Sequence, residues 1–250
     1  MNRYLFWTGG WDSTYRLVEL SRMELDVFPV YVKDHTRSSM DIELETMRKL
    51  HDALSKDART KAVLHPIMVV DESDIKPSEE ITKAYQKLSS EIRLGSQYEY
   101  LARMAAEYPG IEIGIVLEPG EVGGCMCAIQ KYGKMITENG NNIVDKSSSS
   151  ETVNLVFGNL SYPLIYTTEV EMLKNIREWG YEDFMKGIHF CYHPRHGKPC
   201  GICRPCQQKM DCNMEILIPK SAQKRFHLFR WAEKLPTLPK KIIRNLLLKL

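Results

Sequence analysis

Short apolar runs alternate with amphipathic stretches through the first half of the chain. Residues 1–7 are mostly apolar and predict a strand, and a helix follows over 13–21 with Leu17, Val18 and Leu20 toward one side. Val27-Phe28-Pro29-Val30-Tyr31-Val32 is apolar almost throughout, as a strand buried on both faces would be. A helix over 41–54 carries Leu44, Met47, Leu50 and Leu54 at helical spacing. A third strand is predicted over 62–70. Pro77-Ser78-Glu79-Glu80 opens a helix over 77–88, and a further helix over 98–108 stops at Pro109-Gly110. The fourth strand is 111–117. This β-α-β-α-β-α-β order predicts an α/β fold with a doubly wound, mostly parallel, Rossmann-like sheet. Ligands bind such sheets beyond the carboxyl ends of the strands, so the ends of the first, second and fourth strands are expected to form the pocket.

The second half is less regular. Segments 117–124 and 139–150 read as loops, the second mobile because Asn-Gly-Asn-Asn is followed by four serines. A short strand is predicted over 155–157 and a helix over 169–179. A cysteine-rich segment and a basic, helical tail complete the chain. The expected organisation is a nucleotide-binding domain over 1–185, a metal-binding segment over 186–215 and the tail over 216–250.

Composition excludes little. With 250 residues, 43% hydrophobic, 26% charged and a formal net charge of +2, the chain as a whole carries no strong signal for nucleic acid. No apolar run approaches the roughly 18 residues of a membrane helix, so no membrane span is expected. The chain opens directly into its first strand, leaving no room for a signal peptide, and the cytoplasm is the expected compartment. Seven cysteines in that setting point to metal or catalysis rather than disulfides.

The first chemistry lies in Thr8-Gly9-Gly10-Trp11-Asp12-Ser13-Thr14, between the first strand and the first helix. Glycines there allow a positive φ and close approach to the main chain. Helix-terminal N–H groups and the Ser and Thr hydroxyls can then hold a phosphate, with Asp12 on a Mg²⁺ ion. Asp12, Ser13 or Thr14 can cap the helix, and a plain capped turn is the competing reading. Neither the Walker loop nor the G-x-G-x-x-G dinucleotide fingerprint is present.

The second is Cys191, Cys200, Cys203 and Cys206, spaced C-x8-C-x2-C-x2-C. Thiolates two residues apart can reach one ion, and four of them complete a tetrahedral Zn²⁺ site with no open position, which makes it structural. Iron–sulfur clusters use the same donors, and unliganded thiols are the bland alternative. His189, His193 and His196 lie close by and are read as loop groups.

Thr8-Gly9-Gly10-Trp11-Asp12-Ser13 resembles the Ser-Gly-Gly-x-Asp-Ser loop of the N-type ATP pyrophosphatases, the PP-loop enzymes that adenylate a carbonyl oxygen and release pyrophosphate. Together with Cys191-Tyr192 and Cys200-Gly201-x-Cys203-x-Pro205-Cys206, the chain resembles the 7-cyano-7-deazaguanine synthases. The run from Tyr162-Pro163-Leu164 to Thr168-Glu169-Val170-Glu171 is similar to the family's segment ahead of its zinc site. The resemblance implies a PP-loop fold and an ATP-dependent ligase. Its substrate would be a small 7-deazapurine-like carboxylate, converted with ammonia to an amide and then a nitrile. It further implies ATP and Mg²⁺ held by Thr8, Gly9, Gly10, Asp12, Ser13 and Thr14, and Zn²⁺ held by the four cysteines. Asp12, Ser13 and Arg93 are the expected catalytic residues, and a homodimer is the expected assembly.

Three segments depart from the family. Glu169 stands where the family has Lys. Tyr31-Val32-Lys33-Asp34-His35-Thr36-Arg37 replaces Tyr-Gly-Gln-Arg-His. Ser90 to Gln97 replaces a Pro-Gly-Arg-Asn loop, with Arg93 the single matched residue. These departures favour an altered substrate, with modification of a protein or tRNA, or an ATP-binding regulatory protein without turnover, as the alternatives. Among weaker signals, Cys125-Met126-Cys127 in a Gly-rich loop could line the site after the fourth strand as a nucleophile or redox pair, but two reduced loop thiols is the preferred reading. Lys33, His35 and Arg37, and Glu118 and Glu121, are candidate ligand contacts that could equally be solvated. Trp7 reads as core, and Trp11 as core or a stacking surface. The tail from Lys220 carries nine basic residues against the single acid Glu233. It fits a surface for RNA, membrane or a partner protein, but helices packing their apolar faces are the preferred reading.

Overall fold

The computed structural model describes residues 2–36, 39–116, 123–138, 140–195 and 197–233. The chain divides into two compact units, Met1–Thr168 and Glu169–Leu250.

In the first unit β1 (Asn2–Phe6) leads through the glycine turn into α1 (Trp11–Ser21), then β2 (Asp26–Lys33) and α2 (Met40–Ser55). The expected third strand is two pieces, β3 (Val63–Leu64) and β4 (Met68–Asp71). Both pair in parallel with β2, but Asp26 faces Val63 and Val30 faces Met68, so residues 65–67 oppose only 28–29. Pro66, which has no N–H to give, sits in this one-residue bulge. Next come α3 (Glu79–Glu91), capped by the Ser78 hydroxyl accepting the Ile81 N–H, then α4 (Gln97–Glu107) and β5 (Ile111–Ile113).

Three expectations for 117–157 need correction. Cys125, Met126 and Cys127 lie in α5 (Gly124–Tyr132), not in a loop, with Cys125, Ala128 and Ile129 buried on its inner side. The stretch read as a mobile loop contains a strand. β6 (Met135–Glu138) and β7 (Asn141–Val144) form an antiparallel hairpin, and Gly140 between them takes φ +77°. Asn-Gly between two short apolar-containing runs is the standard signal for this turn. The serines after it are committed: Ser147 donates to Asp145, the Ser149 hydroxyl accepts the Lys134 N–H, and Ser150 caps the next helix by accepting from Val153. That helix, α6 (Glu151–Phe157), replaces the strand expected at 155–157. Its Val153, Val156 and Phe157 recur at helical spacing and are buried, a pattern hidden when only the last three residues are considered. The unit ends with β8 (Leu160–Ser161).

The sheet order is β3-β2-β1-β5-β8-β7-β6, with β4 also on β2. It is parallel from β3 to β8 and antiparallel only for the β6–β7 hairpin and its joint to β8. Side chains alternate across it. Phe6, Val30, Val32, Ile111 and Ile113 join one apolar core with residues of α3, α4, α5 and α6. On the opposite face Trp7, Tyr31 and Glu112 meet α1 and α2 through Thr14, Glu43 and Arg16. Glu112 is fully buried and takes two bonds from Arg16, at 2.7 and 2.9 Å. Burial by itself opposes the guanidinium's charge, but these bonds raise the Arg16 pKa well above its ordinary value.

The second unit begins with α7 (Glu169–Glu178) and α8 (Glu182–Met185), followed by the cysteine segment, α9 (Arg204–Asp211) and α10 (Lys220–Ala232). Cys191, Cys200, Ile202, Cys203, Cys206 and Met210 share a core with Ala222, Phe226 and Phe229 of α10. The first part of the tail is therefore a helix packed by its apolar face, while the basic and apolar positions from Lys234 to Leu250 lie outside the described residues. No helix among the described residues is long and apolar enough to cross a membrane.

Candidate functional site

The chain runs from β1 outward through β2 to β3 and β4, then returns to β5 on the other side of β1. The crevice at the carboxyl ends of β1 and β5 is where this kind of sheet receives ligands. A cavity of about 240 Å³ opens there. Thr8, Gly10, Trp11, Asp12 and Ser13 of the turn line it, with Val30 and Val32 of β2, Ile113, Gly114 and Ile115 at the end of β5, and Gln97, Tyr98, Tyr100 and Leu101 of α4. One wall is thus backbone and small polar groups, and the other is apolar and aromatic.

The turn has a defined shape. Gly9 takes φ +71°, and a Cβ there would lie 3.2 Å from Met47 Cγ and 3.4 Å from Thr46 Cγ2, so glycine serves both conformation and space. The helix starts at Trp11, two residues earlier than expected, with Gly10 as N-cap and no side-chain cap. Asp12, Ser13 and Thr14 therefore lie inside the first turn and do not cap it. The Thr8 N–H donates to Ser13 Oγ at 3.4 Å, drawing the turn closed. Thr14 is fully buried, and its hydroxyl accepts the Trp7 indole N–H at 2.9 Å, behind the turn rather than in the cavity. Trp7 is core, and Trp11 is buried along the cavity wall.

Gly114 is a site residue the sequence reading missed. A Cβ on it would sit 3.0 Å from the Ser13 nitrogen and 3.2 Å from Ser13 Cα. The end of β5 thus presses against the first turn of α1, and a side chain at Gly114 fits only if that turn gives by a few tenths of an ångström. The fourth strand, expected over 111–117, ends at Ile113, and a lone glycine inside the expected apolar run gave no reason to single it out.

The remaining predicted residues lie elsewhere. Arg93 is exposed between α3 and α4 and does not line the cavity; its carbonyl accepts the Gly124 N–H at 2.9 Å. His35 pairs with Asp71 at 2.7 Å along a separate cleft bounded by Glu99 and Arg103. Its hydrogen bond, with those of Ser73, holds the Asp71 carboxyl down at about 2. Lys33 ends β2. Arg37, Glu118, Glu121 and His196 lie outside the described residues.

The four cysteines come together. All are buried, and their sulfurs lie within 4.8 Å of one another. Cys191 Sγ and Cys203 Sγ are 3.8 Å apart, and Cys200 Sγ and Cys206 Sγ are 3.9 Å apart. A tetrahedral ion with sulfur ligands at about 2.3 Å requires ligand–ligand edges of about 3.8 Å. Backbone N–H groups point at the sulfurs: Cys200 donates to Cys191 Sγ at 3.1 Å, and Ile202 and Cys203 donate to Cys200 Sγ at 3.4 and 3.3 Å. Bonds from Cys191, Cys203 and Cys206, with that from Ile202, hold the Cys200 thiol well below its ordinary range. Cys206, facing Cys191, Cys200 and Cys203, is pushed well above it. Without a cation the four cannot all ionise, and as thiolates at this spacing they need one between them, so the set could hold a metal ion such as zinc. None of these thiols is in a disulfide. The sequence matches no protein-family model and no curated protein.

Gly201 lets the knuckle close. It takes φ +85°, and a Cβ there would lie 2.1 Å from the Ala222 carbonyl oxygen of α10. Arg225 of α10 also donates to the Cys200 carbonyl at 2.9 Å. Glu169, which stands where the synthases that the sequence resembles have Lys, is buried at the start of α7 and paired with the buried Lys209 of α9. A cation therefore does reach this carboxylate, from 40 residues further along the chain.

Proposed function

We propose that the chain is an ATP-dependent ligase that adenylates a carboxylate or amide oxygen, releasing pyrophosphate and then AMP, in the manner of the 7-cyano-7-deazaguanine synthases. The supporting observation is the cavity at the β1–β5 crevice, with the glycine turn and the Gly10-capped start of α1 on one wall and aromatic side chains on the other. A nucleotide needs both kinds of wall: dipoles and N–H groups for phosphates, and flat apolar surface for a base. In this reading the Thr8–Ser13 turn binds the phosphates of ATP and Asp12 holds Mg²⁺ on them. An acceptor carboxylate attacks the α-phosphorus, pyrophosphate leaves, and ammonia displaces AMP to give the amide. Zn²⁺ fills the cysteine site in a structural role, since four sulfur ligands leave no open position. A homodimer belongs to the same proposal.

Because Arg93 does not line the cavity and the segments after β2 and before α4 differ from the family, the substrate is a carboxylate other than 7-carboxy-7-deazaguanine. Incubation with that compound, ammonium and α-labelled ATP tests both points. AMP formation with pools of other carboxylates, and its loss in Asp12→Ala, is expected. Full nitrile formation would overturn the altered substrate, and absence of ATP binding by calorimetry would overturn the ligase reading.

A further inference from the structure

The modest overall charge conceals a segregation. Met1–Thr168 contains 18 Lys and Arg against 24 Asp and Glu, and Glu169–Leu250 contains 16 against 8, giving formal charges of −6 and +8. Within the second unit the excess is local. No acidic residue occurs between Asp183 and Asp211, or anywhere in α10.

The structure turns these acid-free stretches into surfaces. Residues 192–195 and 197–199 form an arm in which Arg195 and Lys198 pair their backbones, with N–O distances of 2.8 and 2.9 Å. Tyr192 on this arm is 67% exposed, beside the exposed His193. In α10, Ala222, Phe226 and Phe229 face the cysteine core. Lys220, Lys224, His227, Leu228 and Trp231, at steps of three and four, fall on the opposite side and are exposed, Trp231 by 60%. Among the described residues Arg195, Lys198, Lys220 and Lys224 make no ion pair. The arm and helix are joined at Gly201–Ala222 and Arg225–Cys200, so the metal knuckle holds both.

We infer that the arm and the outer face of α10 bind single-stranded RNA, the cations taking phosphates and Tyr192 and Trp231 stacking on unpaired bases. Long aromatic side chains displayed among unpaired cations suit a ligand that has both phosphate charge and exposed ring faces. An anionic membrane would use the charge, but the only large apolar side chains on this face of α10 are Leu228 and Trp231, too little to insert as an apolar stripe does. This inference does not rest on the ligase reading: pyrophosphate release and RNA binding can each fail alone.

The test uses the full, zinc-loaded chain, with fluorescence anisotropy of a mixed-sequence single-stranded RNA and of the corresponding duplex DNA, and sedimentation with phosphatidylserine-containing vesicles. RNA is expected to bind most tightly. Its affinity should fall between about 50 and 200 mM salt with a log–log slope near −3, for four cations at roughly −0.7 each. Lys198→Gln and Lys224→Gln should each reduce the slope by roughly 0.7. Tyr192→Ala and Trp231→Ala should weaken RNA binding by about fivefold or more with the slope unchanged. These are exposed positions, and metal content and melting of each variant verify the fold. Absence of RNA binding at low salt, preference for vesicles, or equal binding of all three probes with no effect of the aromatic changes would each overturn the inference.

Discussion

Replacing Gly201 by alanine probes the join between the cysteine knuckle and α10. Two costs can be separated. The first is conformational: at φ +85° a residue with a Cβ is strained by roughly 1–2 kcal/mol. The second is steric. The new methyl would stand 2.1 Å from the Ala222 oxygen and 2.7 Å from its carbonyl carbon, and both are backbone atoms that cannot rotate away. A carbon–oxygen contact needs about 3.3 Å, so α10 must retreat by about 1 Å. A gap of that size forfeits a quarter to a half of the dispersion energy around Phe226 and Phe229, and overpacking of this kind costs about 1–3 kcal/mol. The sum is roughly 2–5 kcal/mol, or a fall in Tm of about 10 °C or more for a unit of this size. Gly197 supplies the control: its φ is +73°, and nothing lies within 4 Å of a Cβ there. Gly197→Ala should show only the conformational cost. Thermal unfolding followed by circular dichroism, with zinc release measured by a colorimetric chelator, reads both variants. If Gly201→Ala and Gly197→Ala lower Tm equally, the packing of α10 on the knuckle is not as described.

Other expectations follow from the same geometry. Gly114→Ala should push the first turn of α1 by a few tenths of an ångström and, under the ligase proposal, weaken ATP binding about tenfold with little change in Tm; an unchanged Kd by calorimetry would refute its place at the proposed cradle. Lys209→Met leaves the buried Glu169 carboxylate unpaired and should cost about 3–5 kcal/mol, measured by denaturant melts, and adding Glu169→Gln should recover most of it. Burial, then the neighbouring Glu169, pushes the Cys212 thiol up to about 11 from an ordinary 9.0. Cys212 should therefore react with iodoacetamide, followed by peptide mass spectrometry, chiefly above pH 10. The unfolded thiol ionises first, so this group's contribution to stability is complete below pH 9 and is lost as pH rises toward 11. A Cys212→Ser variant should lack that alkaline loss.

The alternation of apolar runs and amphipathic helices was sufficient for the α/β class, the parallel order of the first strands and the position of the glycine turn, because each is encoded in local periodicity and turn chemistry. The cysteine spacing likewise announced a metal-type cluster. The second half was less legible. The β6–β7 hairpin has strands of four residues, too short for period-two patterning to stand out, and α6 reads as a helix only over its full length.

What only the tertiary structure decided is which residues distant in sequence meet. Gly114 belongs to the glycine turn because β5 returns beside β1, a consequence of strand order. Thr14 lies behind the turn because the Trp7 indole claims its hydroxyl, and Glu169 is balanced because α9 brings Lys209 to it. Local sequence sets backbone conformation and amphipathic faces. Contacts such as these depend on how the faces pack, and no window of neighbouring residues contains that information.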